Sequence, residues 1–145
     1  TTEVEMIEKK HRIEDALEAV KAAQEEGIVP GGGVALLRAS QRIIISTEGG
    51  HSDQGVGVVV VRNACREPIR QMAINSGDSP DIIIEEVLKA ETGHGWDFRR
   101  AEMSNLLSDG IIDPVKVSRT ALQNGASTAG TLITTNFGII QTETD

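Results

Sequence analysis

The run Ile28-Val29-Pro30-Gly31-Gly32-Gly33 constrains this chain more than any other stretch, because it stands between two segments with helical patterns. Upstream, Thr2 precedes Glu5 by three residues, the spacing of a capping box in which hydroxyl and carboxylate satisfy free helix N–H groups. Met6, Ile13, Leu17 and Val20 then recur near the helical period and form one narrow apolar stripe. Glu5–Lys9 and Glu8–Arg12 stand four apart in the favourable order, and Gly27 occupies the stop position of a helix about 25 residues long. Downstream, Val34 to Ile45 reads as a second helix. A helix with so narrow a stripe connects two bodies or packs on a neighbour. Three successive glycines allow something flat or bulky to approach the backbone at the start of a helix.

The remaining chain reads as helices divided by turns. The segment "STEGGHSDQG" is an exposed loop. Val56 to Asn75 reads as a third helix with Val56, Val60, Ala64, Ile69 and Met72 on its apolar side, kinked at Pro68. Ser79 and Pro80 start a fourth helix that ends near Glu91. "TGHGWDF" is a turn or short strand, and Arg99 to Ser108 a weak short helix closed by Asp109-Gly110. Asp113 and Pro114 stand at the cap and first turn of a last helix to about Ile133, whose Ala121, Gly125, Ala126, Ala129 and Gly130 permit close helix approach. Phe137 to Ile140 alternates as a lone strand, with no partner of convincing period two elsewhere.

Composition narrows the function. With aromatic residues at 2% and no tyrosine, the core must be built from Val, Ile, Leu and Ala. A net charge of −8 argues against nucleic acid and anionic membranes as partners. The single Cys65 cannot form an internal disulfide, and no apolar run approaches a membrane span. A soluble, intracellular, acidic chain is expected.

The motifs for chemistry are sparse. The glycine triplet lacks the lysine of a G-x-x-x-x-G-K-[S/T] loop and the spacing of G-x-G-x-x-G. His11, His51 and His94 lie in separate segments without metal-ligand spacing, so no metal site is expected. Cys65 reads as a buried small hydrophobe, Asp15 as part of a solvated helix face, and Trp96 as a plug at the core edge.

Two longer stretches carry a resemblance. Residues 1–38, "TTEVEMIEKKHRIEDALEAVKAAQEEGIVPGGGVALLR", closely resemble the segment of group I (GroEL-type) chaperonins that descends from the intermediate into the equatorial domain. "DGIIDPVKVSRTALQNGASTAG" is similar to the family's late equatorial segment. The likeness runs along essentially the whole chain, with a small length change near Gly49. Asp113-Pro114, where group II relatives usually carry Glu-Pro, and the "TEVEMIEKK" opening side with group I.

This resemblance implies a mainly α fold: a helical bundle of the chaperonin equatorial domain, with a long connecting helix and a C-terminal edge strand. Residues 1–26 would be the descending intermediate-domain helix and 27–145 the C-terminal half of the ATP-binding equatorial domain. It implies a fragment of an ATP-driven folding machine of stacked rings. Gly32, between Gly31 and Gly33, would pack on adenine and ribose; Ile111 would cover the base; Asp113 would bind ribose hydroxyls. Asp15 would orient the water that attacks the γ-phosphate. Trp96-Asp97-Phe98-Arg99 stands where the family usually has Tyr-Asn-Ala-Ala, which places Asp97 at the base edge. Glu3, Phe137, Gly138, Ile139 and Ile140 would make inter-subunit contacts. The implied cofactor is ATP/ADP with Mg2+, but the phosphate loop and metal ligands have no counterpart in these residues, so the chain alone should not turn over ATP. Implied partners are ring subunits, with a co-chaperonin and unfolded clients reached through other domains, in a bacterial cytoplasm rather than an organelle matrix. Two other readings are a stand-alone helical interaction module without ATPase activity and, separately, an unrelated small nucleotide-binding enzyme.

Overall fold

The computed structural model describes residues 2–44 and 53–140. Its described elements run in the order α1 (Glu3–Glu26), β1 (Ile28–Pro30), α2 (Val34–Gln41), α3 (Asp53–Ala64), α4 (Glu67–Ser76), α5 (Pro80–Lys89), β2 (His94–Asp97), β3 (Glu102–Asn105), β4 (Ile112–Pro114) and α6 (Val115–Ile133). The fold is mainly helical, as the sequence implies.

Helix α1 begins at the expected capping box: Glu5 N–H donates to the Thr2 hydroxyl, and Thr2 N–H donates to the Glu5 carboxylate at 2.9 Å. Glu5 is thereby engaged at the cap, while Glu8 pairs with Arg12 at 2.6 Å. Gly27, at φ 85, ends the helix. The apolar stripe faces outward: Met6, Ile13, Leu17 and Val20 are all exposed. Along its C-terminal half α1 lies against α6 and β4. There Arg119 of α6 donates to Glu26 through Nε at 2.9 Å, and Lys116 pairs with Glu25.

The core lies elsewhere. Val34 and Leu37 of α2, Ile69 and Ala73 of α4, and Ile83, Ile84 and Val87 of α5 pack with Leu106 into one buried cluster. The amphipathic patterns of these short helices suffice for this, since each presents one apolar stripe to the others. Gly77, in the left-handed conformation, closes α4 in a Schellman turn, with Asp78 N–H donating to the Ala73 carbonyl at 2.9 Å. Arg38 of α2 reaches the end of α5 and donates to the carbonyls of Val87, Ala90, Glu91 and His94. One guanidinium thus satisfies carbonyls that the helix terminus leaves free.

Several expectations are corrected here. The third helix is two: α3 ends at Ala64, and Pro68 lies in the first turn of α4 rather than at a kink, where its missing N–H costs nothing. Val56 and Val60 are exposed, so α3 contributes none of its valines to the core. The expected short helix from Arg99 to Ser108 is a turn followed by β3. Residues 93–106 form a β2–β3 hairpin with His94 opposite Asn105 and Asp97 opposite Glu102. Asp113 does not cap α6 but lies in β4, one residue before the Pro114 cap. The small-residue face of α6 is exposed, and the described residues 135–140 form no strand, so Phe137, Gly138, Ile139 and Ile140 stand open. Position 45 of the second helix and 46–52 of the following loop lie outside the described residues.

The strands escape a period-two search because they are three or four residues long and two contain proline. Their hydrogen bonds come from distant partners: Val29 pairs antiparallel with Asp113, flanked by Ile28–Pro114 and Pro30–Ile112. The ribbon continues at both ends, with Gly31 N–H donating to the Ile111 carbonyl at 2.9 Å and Val115 N–H to the Gly27 carbonyl at 3.1 Å.

Candidate nucleotide-binding site

The β1–β4 ribbon fixes where the glycine triplet sits. Gly31 is buried against Ile111, and a Cβ there would lie 3.2 Å from the Ile111 carbonyl oxygen. Gly33, at φ 74, turns the chain into α2 against the backbone of Ile69. Between them Gly32, at φ 66, presents its bare Cα to a cleft of ≈ 640 Å3. Ile111 faces it from just before β4, and Met72 of α4 adds an apolar wall. The opposite side is the hairpin turn, Trp96 through Arg100, with Asp109 at the edge.

The turn is built by Asp97. Its Oδ1 accepts from the N–H groups of Arg99 at 2.8 Å and Arg100 at 3.2 Å, while Oδ2 lies 3.6 Å from Arg100 Nε. Asp97 is 5% exposed. This aspartate therefore organises the loop with its oxygens, as Asx turns do. Arg100 also reaches Asp109 at 3.3 Å, joining the hairpin to the loop before β4. Gly95 lets the hairpin press on the core, since a Cβ would sit 2.6 Å from both Leu106 Cδ1 and Val34 Cγ2.

Two expected site residues lie outside this cleft. Asp113 is half-buried on β4, and burial pushes its carboxyl above the ordinary aspartate range. Asp15 lines a second hollow of ≈ 630 Å3 between α1 and α6, with Lys21, Lys116 and Thr120. Pro114 borders that hollow, so the chain runs from Ile111 at one depression, just before β4, to Pro114 at the other with Asp113 between them. The structure thus brings Gly32, Asp97 and Ile111 together and places Asp113 on the connecting strand. Glu3 is exposed at the far end of α1. Cys65 is buried, and desolvation raises its thiol, as expected of a packing residue.

The sequence reading missed Met72, Arg100 and Asp109 as cleft residues and took Trp96 for a core plug. The β1–β4 pairing and the Arg100–Asp109 ion pair bring these segments together, and no local pattern encodes either. A purine nucleoside fits the residues present. The cleft offers a side-chain-free glycine, apolar walls, and the buried indole N–H of Trp96, which has no hydrogen-bond partner among the described residues.

The comparison with protein families decides the lineage. Residues 1–143 match the model of the TCP-1/cpn60 chaperonin family. The chain belongs to that family. Membership makes it a chaperonin-family protein and implies a chaperone role within an oligomeric assembly. The mainly helical architecture, with its small antiparallel ribbons, agrees with a portion of a chaperonin equatorial domain.

Proposed function

We propose that this chain is the nucleoside-binding portion of a group I, ATP-driven chaperonin, with residues 1–26 as the descending intermediate-domain helix and 27–145 as equatorial domain. One observation carries the reading: Gly32 and Ile111, far apart in sequence, face the same cleft because Gly31 is hydrogen-bonded to Ile111. Gly32 would lie against base and ribose, Ile111 would cover the base, and Asp113 would accept from ribose hydroxyls. Bound ATP supplies a phosphoanhydride whose hydrolysis drives the folding cycle. This chain's part is to hold the nucleoside and to bring Asp15, on a helix that can swing, within reach of the attacking water. Phosphate and Mg2+ would be held by residues outside these 145. Glu3 and the Phe137–Ile140 segment would contact neighbouring ring subunits.

Trp96 is the sole tryptophan and lies in the cleft, so its fluorescence reports occupancy directly. Titration with ADP should change it saturably. Asp113→Ala should weaken that binding, and Asp15→Ala should leave it unchanged while slowing ATP hydrolysis in the assembled ring by ~10²-fold. An absent fluorescence response, or the reverse pattern in the two variants, overturns the reading.

A further inference from the structure

A chain of charges ties the hairpin turn to the loop that carries Ile111. Asp97 is buried, and its Oδ1 accepts the N–H bonds of Arg99 and Arg100 that shape the turn. Its Oδ2 lies 3.6 Å from Arg100 Nε, and a buried carboxylate needs such a cation to offset its lost hydration. One edge of the guanidinium is thereby anchored to the turn. The other edge leaves the hairpin, where Arg100 Nη1 donates to Asp109 Oδ2 at 3.3 Å. Asp109 stands two residues before Ile111. Their loop is closed by Asp109 N–H on the Asn105 carbonyl at 3.0 Å and Ile111 N–H on the Leu106 carbonyl at 2.8 Å. Asp97, Arg100, Asp109 and Ile111 all line the cleft.

The geometry points to a charge clasp, Asp97–Arg100–Asp109, that holds Ile111 at a fixed spacing from the hairpin wall and makes Arg100 and Asp109 positioning residues for the nucleoside. The inference rests on the nucleotide reading above. Trp96 and Ile111 belong to separate loops, and a nucleoside makes its full contact only while those loops keep their spacing. A clasp that sets the spacing beforehand removes an ordering cost from binding. Its two halves are unequal. The Asp97 half is held by the buried carboxylate, whereas the Asp109 half joins exposed side chains and is the one that can open. An exposed ion pair contributes little by itself and is screened by salt, so the clasp should act modestly and in a salt-sensitive way.

ADP titrated into the intact chain, followed by Trp96 fluorescence, tests the clasp. Asp109→Asn leaves the Arg100–Asp97 pair in place, so it opens the clasp without unsettling the turn. This variant should bind ADP about two- to fivefold more weakly, the range of an exposed ion pair. Removing a negative charge beside an anionic ligand would by itself tighten binding, so a loss points to lost positioning. Arg100→Met should weaken ADP by a similar factor, Arg100→Lys should recover part of it, and the double variant should lose no more than Arg100→Met alone. The parent's advantage over Asp109→Asn should shrink toward unity as salt rises from about 0.05 M to about 1 M, where the screening length is ~3 Å. Circular dichroism checks that each variant is folded. If Asp109→Asn binds ADP as tightly as the parent, or more tightly, the clasp is overturned and the nucleotide site stands. Additive losses in the double variant would mean that each side chain touches the nucleotide by itself, and the inference fails. It fails equally if the ratio ignores salt. If ADP leaves the parent's fluorescence unaltered, the nucleotide reading falls and the clasp with it.

Discussion

Gly33 and Ile69 are pressed together so closely that a Cβ on the glycine would stand 2.8 Å from the Ile69 nitrogen and 3.1 Å from its Cα. The obstruction is backbone, which cannot turn aside as a side-chain tip can. Gly32 is different: it shares the left-handed conformation at φ 66, yet its added Cβ would meet only the Trp96 carbonyl at 3.7 Å. The triplet thus holds distinct requirements, for close approach at Gly31 and Gly33 and for conformation at Gly32 and Gly33. Gly32→Ala should cost about 1 kcal/mol, the penalty of placing an alanine at positive φ. Gly33→Ala should cost about 2–4 kcal/mol, because overpacking against α4 is added to that penalty. Denaturant midpoints of the two variants provide the check, and equal losses would mean that contact with Ile69 is unimportant.

Ala101 closes the hairpin turn at φ 55, the sole described non-glycine residue at positive φ. Its N–H donates to the Asp97 carbonyl at 2.8 Å, so the conformation is imposed by the turn and not by the side chain. An L-residue there costs roughly 1–2 kcal/mol, against about 0.4–1 kcal/mol that glycine loses through its freer unfolded state. Ala101→Gly should accordingly stabilise the protein by about 0.5–1 kcal/mol. A lower thermal midpoint in the glycine variant would contradict this.

How far these features could be read from the residues depended on whether their cause was local. The capping box at Thr2 and the stop at Gly27 are set by neighbours a turn away, and both are where the pattern places them. Pro68 was legible as a disturbance, but whether a proline kinks one helix or starts another depends on the backbone before it, here the turn in which Arg66 N–H donates to the Asn63 carbonyl. The ribbon of Val29 and Asp113 was not legible, since residues that pair across most of the chain leave no periodic trace in a three-residue strand. The core was misplaced for a related reason. Val56 and Val60 have the pattern of buried residues but stand exposed on α3, whereas Leu106, between a hairpin and a loop, is fully buried. In the candidate site the glycines were marked by motif, and Ile111 and Asp97 only by the family resemblance. Arg100 and Asp109 entered only through the turn that Asp97 folds.

Asp113 offers a test that joins stability to the site. It is half-buried on β4, and desolvation raises its carboxyl above the ordinary value of 3.8. The sign follows from proton binding. Between the unfolded value and the raised folded value the native state holds more proton than the unfolded state, so stability falls as pH rises through that window. Above the window the ionised carboxylate weakens the fold fully; below the unfolded value it is protonated in both states and the penalty is gone. Asp113→Asn keeps the shape and removes the charge, so the variant should melt higher than the parent at neutral pH. That advantage should shrink as the pH falls through the carboxylate range. A residue whose native side chain weakens the fold where it stands is what a binding role predicts, because groups placed for a ligand are not placed for stability. Thermal melts of both proteins from pH 7 down to the acid range, run with and without ADP, measure both effects. The variant should gain stability without nucleotide and lose part of the stabilisation that nucleotide gives the parent. A pH-independent difference between the two proteins would show that burial of the charge is not its origin.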